Sequence, residues 1–137
     1  MAGLTLTLRP NERFLVGGCL VQNGPRRSAI TIVDDSVPVL RLSDALHPDE
    51  VTTPIRRAYY AAQLILAGEP VDRDAVRDQI EALARIFETT PLAPKFQEAK
   101  AAAETGRYHS VLMTLRPLFA VEDEMLSSGD EKYSATG

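Results

Sequence analysis

Two hydrophobic periods divide this chain. Near the start, Leu4-Thr5-Leu6-Thr7-Leu8 alternates apolar and polar residues, which predicts a half-buried strand. Pro10-Asn11 turns the chain, and a second strand is expected over Arg13 to Val16. Gly17-Gly18 predicts a bulge or sharp bend, after which Cys19-Leu20-Val21 resumes the strand. Asn23-Gly24 favours a tight hairpin, but Pro25 has no N–H to close one. A wider loop from Gln22 to Arg27 is therefore expected, with Arg26 and Arg27 held outward. Ala29 to Val33 reads as a third strand, with Asp34-Asp35-Ser36 as its turn. Val37 to Leu42 reads as a fourth, and Pro38 makes it an edge strand or one that starts late.

The alternation then stops. Ser43 to Thr53 is a connector bent by His47-Pro48. Thr53 before Pro54 is a helix start, a hydroxyl N-cap followed by proline at the first helical position. Ile55, Ala58, Tyr59, Ala62 and Ile65 then fall on one helical face, and Gly68 and Pro70 end the helix. Asp72 opens a second helix with Val76, Ile80, Leu83 and Phe87 inward. A third is expected from Pro94 to Thr105, with Phe96, Ala99 and Ala103 inward and Gly106 as its cap. A fourth starts at Tyr108 with Val111, Leu112, Leu115 and Phe119 inward, and Pro117 predicts a kink or an end near Arg116. Glu122-Asp123-Glu124 is polar, and Ser127 to Gly137 lacks an apolar stripe.

The switch in period predicts an α+β fold: a small antiparallel β unit over residues 1–47, a bundle of three to four helices over 48–126, and a flexible tail over 127–137. The 137 residues suit one domain or two small subdomains sharing a core, and 45% hydrophobic content is ordinary for a globular chain. No apolar run approaches the roughly 20 residues of a membrane helix, and no secretory signal pattern is present. No membrane association is expected. Cys19 is the single cysteine, so no intramolecular disulfide forms, which fits a reducing cytoplasm. The net charge of −4 is unevenly spread. Residues 1–42 hold five arginines against three acids, while the rest hold ten basic and sixteen acidic residues. A basic face is the mark of a nucleic-acid binder, so the N-terminal part is where to look.

Catalytic groups are scarce. His47 and His109 lie in different segments, neither near Cys19 or a candidate serine, so no nucleophile has a base beside it. His47 reads as a loop residue and His109 as a solvated helix residue. One cysteine and two scattered histidines do not make a zinc site. Asp72, Asp74 and Asp78 complement a helix dipole, and Asp34-Asp35 reads as a turn pair. Neither glycine turn matches a phosphate-loop pattern. The composition points away from an enzyme, with no cofactor and no metal expected.

A family resemblance starts in the same β region. Leu6-Thr7-Leu8-Arg9-Pro10-Asn11-Glu12-Arg13-Phe14, then Gly18, Asn23-Gly24 and Arg27, followed by Leu40-Arg41, Asp44 and Thr53-Pro54-Ile55-Arg56-Arg57-Ala58-Tyr59, resembles the flagellar FlbT family. The likeness runs from about Leu4 to about Phe119. It departs at Gly17, where the family usually has Asn. The resemblance implies a cytoplasmic post-transcriptional repressor, not a nuclease, that binds the 5′ untranslated leader of flagellin mRNA and promotes its degradation.

The implied RNA contacts are Arg9, Arg13, Arg26, Arg27 and Arg41, which fall at strand ends and turns, with Asn23 as a polar contributor to sequence choice. Guanidinium groups suit phosphates because they present planar paired donors. Arg56, Arg57 and Tyr60 are secondary candidates. The two arginines open a helix, where the dipole disfavours positive charge; the alternative reading pairs them with Asp49-Glu50. Of Tyr59 and Tyr60, one must face inward and the other is more exposed. Partners beyond the leader RNA are a ribonuclease, flagellin or a flagellar regulatory protein, and a second copy of the chain. The alternative reading is a helical adaptor that binds flagellin or another assembly factor through the acidic, alanine-rich half.

Overall fold

The computed structural model describes residues 4–34 and 36–136, with side chains described through Ser127. Five strands come first: β1 (Leu4–Leu8), β2 (Arg13–Val16), β3 (Cys19–Gln22), β4 (Ser28–Ile32) and β5 (Val39–Arg41). Five α-helices follow: α1 (Pro54–Leu66), α2 (Arg73–Ile86), α3 (Ala93–Glu104), α4 (Tyr108–Leu115) and α5 (Leu118–Thr136). The fold is α+β.

The strands form two small antiparallel sheets. β1 pairs with β4, with Leu4 opposite Ile32 and Leu8 opposite Ser28. The second sheet runs β3-β2-β5. Alternation explains how they stack. Leu6 and Leu8 of β1, Phe14 of β2 and Val39 of β5 turn inward and make one small core between the sheets. Leu15 and Leu40 point the other way, pair with each other in register, and join the core of the helical half. The central sheet is thus buried on both faces near its middle.

Gly17-Gly18 is a two-residue turn between β2 and β3, not a bend within one strand. Both residues have positive φ, +58° and +83°, the pattern that matches a hairpin to the strands' right-handed twist. Asn also tolerates the left-handed region, so Gly17 meets the same backbone demand as an Asn there. β5 is an edge strand and begins just after Pro38.

Thr53 caps α1 by accepting from the Arg56 N–H, with Pro54 at the first helical position. Asp72 caps α2 through the N–H groups of Asp74 and Ala75. α1 buries Ile55, Ala58, Tyr59, Ala62 and Ile65, and Phe87 stacks on Phe96 with ring centroids 4.6 Å apart. α4 ends at Leu115 with Arg116 as C-cap, and a fifth helix starts at Leu118, beyond the three to four expected. Glu122-Asp123-Glu124, read as merely polar, lies within that helix. The segment 127–137, expected as a flexible tail, has its backbone in α5 through Thr136. Its side chains beyond Ser127 lie outside the described residues.

The connector is tied to α1 by buried polar groups. The Gln63 side chain accepts from the Leu46 N–H at 2.7 Å and donates to the Leu46 carbonyl at 3.1 Å. Tyr59 donates its hydroxyl to the Asp44 carbonyl, and Arg116 donates to both of those oxygens. Buried backbone groups must be paired, so these side chains hold the β unit against the helices. Gln63→Leu leaves both Leu46 groups unpaired. It is expected to lower stability by about 2 kcal/mol and Tm by roughly 5–10 °C, read by urea and thermal denaturation. A loss below about 0.5 kcal/mol, typical of a surface change, would contradict the clamp.

Candidate nucleic-acid interface

Local chain geometry gathers the basic residues at one end of the β unit. The turn after β1 needs a left-handed residue, which Asn11 supplies at φ +60°. Its N–H donates to the Gly24 carbonyl at 2.8 Å, and the Asn23 N–H donates to the Glu12 carbonyl at 2.8 Å. These bonds lash the β1–β2 turn to the β3–β4 loop. Asn23 completes the lashing with its side chain: its amide donates to the carbonyls of Arg9 and Arg26, and its oxygen accepts from the Ser28 hydroxyl. Asn23 therefore shapes the loop that carries Arg26 and Arg27.

Beside this junction lies an open cleft of about 400 Å³, lined by Thr7, Arg9, Pro10, Arg27 and Arg41. Among the described residues, Arg9 and Arg27 meet no carboxylate within ion-pair distance. Arg41 does. It donates Nε to one Glu12 oxygen and Nη2 to the other, each at 2.7 Å, and Nη2 also reaches the Thr7 carbonyl. Glu12 further accepts from the Arg9 N–H at 2.9 Å and is only 7% exposed at its side chain. The Arg41 hydrogen bonds hold the Glu12 carboxyl below its ordinary pKa despite burial, and Glu12 raises that of Arg41.

Three of the five expected arginines thus line one cleft, and Arg26 lies exposed in the adjoining loop. Arg13 is placed differently. It shares the face of β2 that carries Leu15, opposite Phe14, and donates Nε to Gln22 of β3 at 3.0 Å. Glu12, the residue that organises the cleft, reads from the sequence as a partner for the neighbouring Arg9 or Arg13, whereas the sheet pairs it with Arg41. Its signal is its place three residues after Arg9 in a turn, the reach at which a carboxylate accepts from a preceding N–H.

The secondary candidates lie on α1. Arg56 does not reach Asp49-Glu50. It forms a two-pronged pair with Asp123 of α5 at 2.7 and 2.9 Å and sits over the Phe119 ring at 4.7 Å. The reason is that α5 brings Glu122 and Asp123 to the start of α1. The Glu122 carboxylate is buried there and accepts from the Ile55 N–H at 3.0 Å. Arg57 is exposed, and Tyr60 is half-buried against the helical core. His109, expected to be solvated, is half-buried, and that burial lowers its pKa.

The described residues contain no cluster of three metal-ligating side chains and no helix long and apolar enough to cross a membrane. The family model for flagellar protein FlbT matches residues 4–126. A flagellum biosynthesis repressor protein FlbT of Caulobacter vibrioides is 30% identical over 137 residues, covering 98% of this chain and 96% of the relative. Probable FlbT repressors of Rhizobium etli and Rhodopseudomonas palustris are 29% and 30% identical over 128 residues, covering 91% and 90% of this chain and 85% and 98% of theirs. No solved structure matches.

Glu12→Gln removes the charge from the Arg41 pair. At neutral pH it is expected to lower stability by about 1–2 kcal/mol, the range for hydrogen bonds to a charged group that is partly open to water. Because folding lowers the Glu12 pKa, its contribution is present above the ordinary glutamate range. It is lost as pH falls through the lowered value. The gap between wild type and variant should therefore narrow in acid. Urea titrations across that range check this, and a pH-independent gap would contradict it.

Proposed function

The chain belongs to the FlbT family of flagellar proteins, and we propose that it is a repressor of flagellum biogenesis that binds the 5′ leader of flagellin mRNA and promotes its degradation. The observation that carries this reading is the cleft at the end of the β unit, which Arg9, Arg27 and Arg41 line together. A cleft of that charge suits backbone phosphate, and Arg26 extends the basic surface along the loop. Base stacking on the sheet plays no part, because Phe14, the single aromatic side chain among the strands, is 2% exposed. Asn23 acts by holding the loop rather than by reading bases, since its amide is spent on Arg9, Arg26 and Ser28. Selectivity then comes from the loop backbone and the shape of the RNA. The protein acts in the cytoplasm, and decay of the message follows from recruiting a nuclease or from blocking ribosomes.

A second reading, a helical adaptor for flagellin, is favoured by Met125 and Leu126 on α5, which are 46% and 48% exposed. Titration decides between the two. Each phosphate neutralised on a single strand contributes a salt slope of about −0.7. Arg9→Ala with Arg27→Ala should weaken leader binding across sequences and flatten the slope by roughly one to one and a half units. The fold should survive, because both side chains are exposed. Unchanged affinity and slope, with tight binding of flagellin instead, would leave the adaptor as the function.

A further inference from the structure

A second cavity, distinct in its lining from the basic cleft, lies at the seam between the β unit and the helices. Its volume is about 270 Å³. One wall is apolar, built from Leu4, Ile32, Val37, Val39, Ile65 and Leu66. The other carries Arg73 from the start of α2, and Arg107, Tyr108, His109 and Ser110 from the start of α4. Among the described residues, neither Arg73 nor Arg107 lies within ion-pair distance of a carboxylate. Arg73 lies over the Tyr108 ring, 5.5 Å from its centroid, and Arg107 donates Nε to the Thr105 hydroxyl at 2.9 Å. Asp34 also lines the cavity, and its Oδ1 is engaged within its own loop, accepting from the Ser36 N–H at 3.0 Å and the Ser36 hydroxyl at 2.6 Å. The opening therefore has an apolar floor and two guanidinium groups with spare donors.

We propose that this seam cavity binds a small organic anion, with its carboxylate or phosphate head on Arg73 and Arg107 and its apolar body on the Leu4–Ile65 wall. The size is near the lower end of small-molecule sites, which are mostly apolar, carry a few convergent polar groups and favour junctions between structural units. Burial lowers the His109 pKa, with Asp44 opposing and Arg41 reinforcing that shift. His109 is therefore neutral at neutral pH and offers a hydrogen-bonding edge, while the arginines supply the charge. Because the walls come from both halves of the fold, the ligand stabilises the junction between them.

The test uses the full chain with phenyl phosphate and benzoate as probes, and with benzyl alcohol and inorganic phosphate as body-only and head-only controls. Binding is read by amide NMR shifts and by Tm. At least one anionic probe should raise Tm and shift the amides of Ser36, Arg73 and Ser110, more strongly than either control. The tighter of the two identifies the preferred head group. Arg107→Ala and Arg73→Ala, both exposed side chains, should each weaken binding about tenfold, the loss of one charge-assisted hydrogen bond. Arg27→Ala, in the basic cleft, should leave it unchanged. Four results overturn the proposal: no response to either probe at millimolar concentration, shifts confined to Thr7, Arg9 and Arg27, wild-type affinity in both arginine variants, or controls that bind as well as the probes.

Discussion

The basic end of the β unit depends on one half-buried carboxylate. Glu12 accepts from the Arg9 backbone and from two nitrogens of Arg41. It thereby fixes three things at once: the turn after β1, the end of β5 and the direction of the Arg41 guanidinium. An arginine held this way loses less conformational freedom when it meets a phosphate than a free one does. The same pair sets a limit, because a phosphate approaching Arg41 competes with Glu12 for its donors. In the proposed complex, Arg9 and Arg27, free of carboxylates among the described residues, supply the long-range attraction.

The helical half is organised by a different set of buried polar groups. Gln63, Tyr59 and Glu122 each satisfy backbone groups at a place where the chain leaves regular structure. Glu122 sits at the positive end of α1, where a carboxylate complements the unpaired N–H groups and the helix dipole. Arg56 balances it from 3.9 Å while pairing with Asp123. That resolves the apparent misfit of an arginine at a helix start: the charge belongs to the α1–α5 junction. These contacts hold the two halves in one arrangement, and the seam cavity lies between them.

What was legible in the sequence was local. The alternation of Leu4 to Leu8, the Thr53-Pro54 start and the Asp72 cap each depend on neighbours within a few residues, and the elements begin where those signals lie. Strand pairing was not legible. β1 joins β4 rather than β2, a choice set by how two apolar faces close over Phe14 and Val39. Gly17-Gly18 fits both a bend and a turn until pairing is known. α5 was hidden because Pro117 and three successive acids imitate a helix end, and the reason for two of those acids lies on α1. Five arginines could be counted within the first 42 residues. Which of them are free could not, because the partner of Arg41 is brought close only by the sheet, and Arg13 differs from its neighbours only in the face it takes.

Charge distribution then decides how such a molecule meets a polyanion. Beyond residue 42 the acids outnumber the basic residues sixteen to ten, so that part of the chain carries a net negative charge. At physiological salt, charges are screened over about 8 Å. An approaching strand therefore responds to local groups rather than to the net charge of −4. One region suited to a strand is the end of the β unit, where Arg9, Arg26 and Arg27 stand exposed around the cleft. An acidic body with one basic end orients its ligand by exclusion as well as by attraction. In the proposed complex that arrangement disfavours indiscriminate wrapping of RNA around the protein.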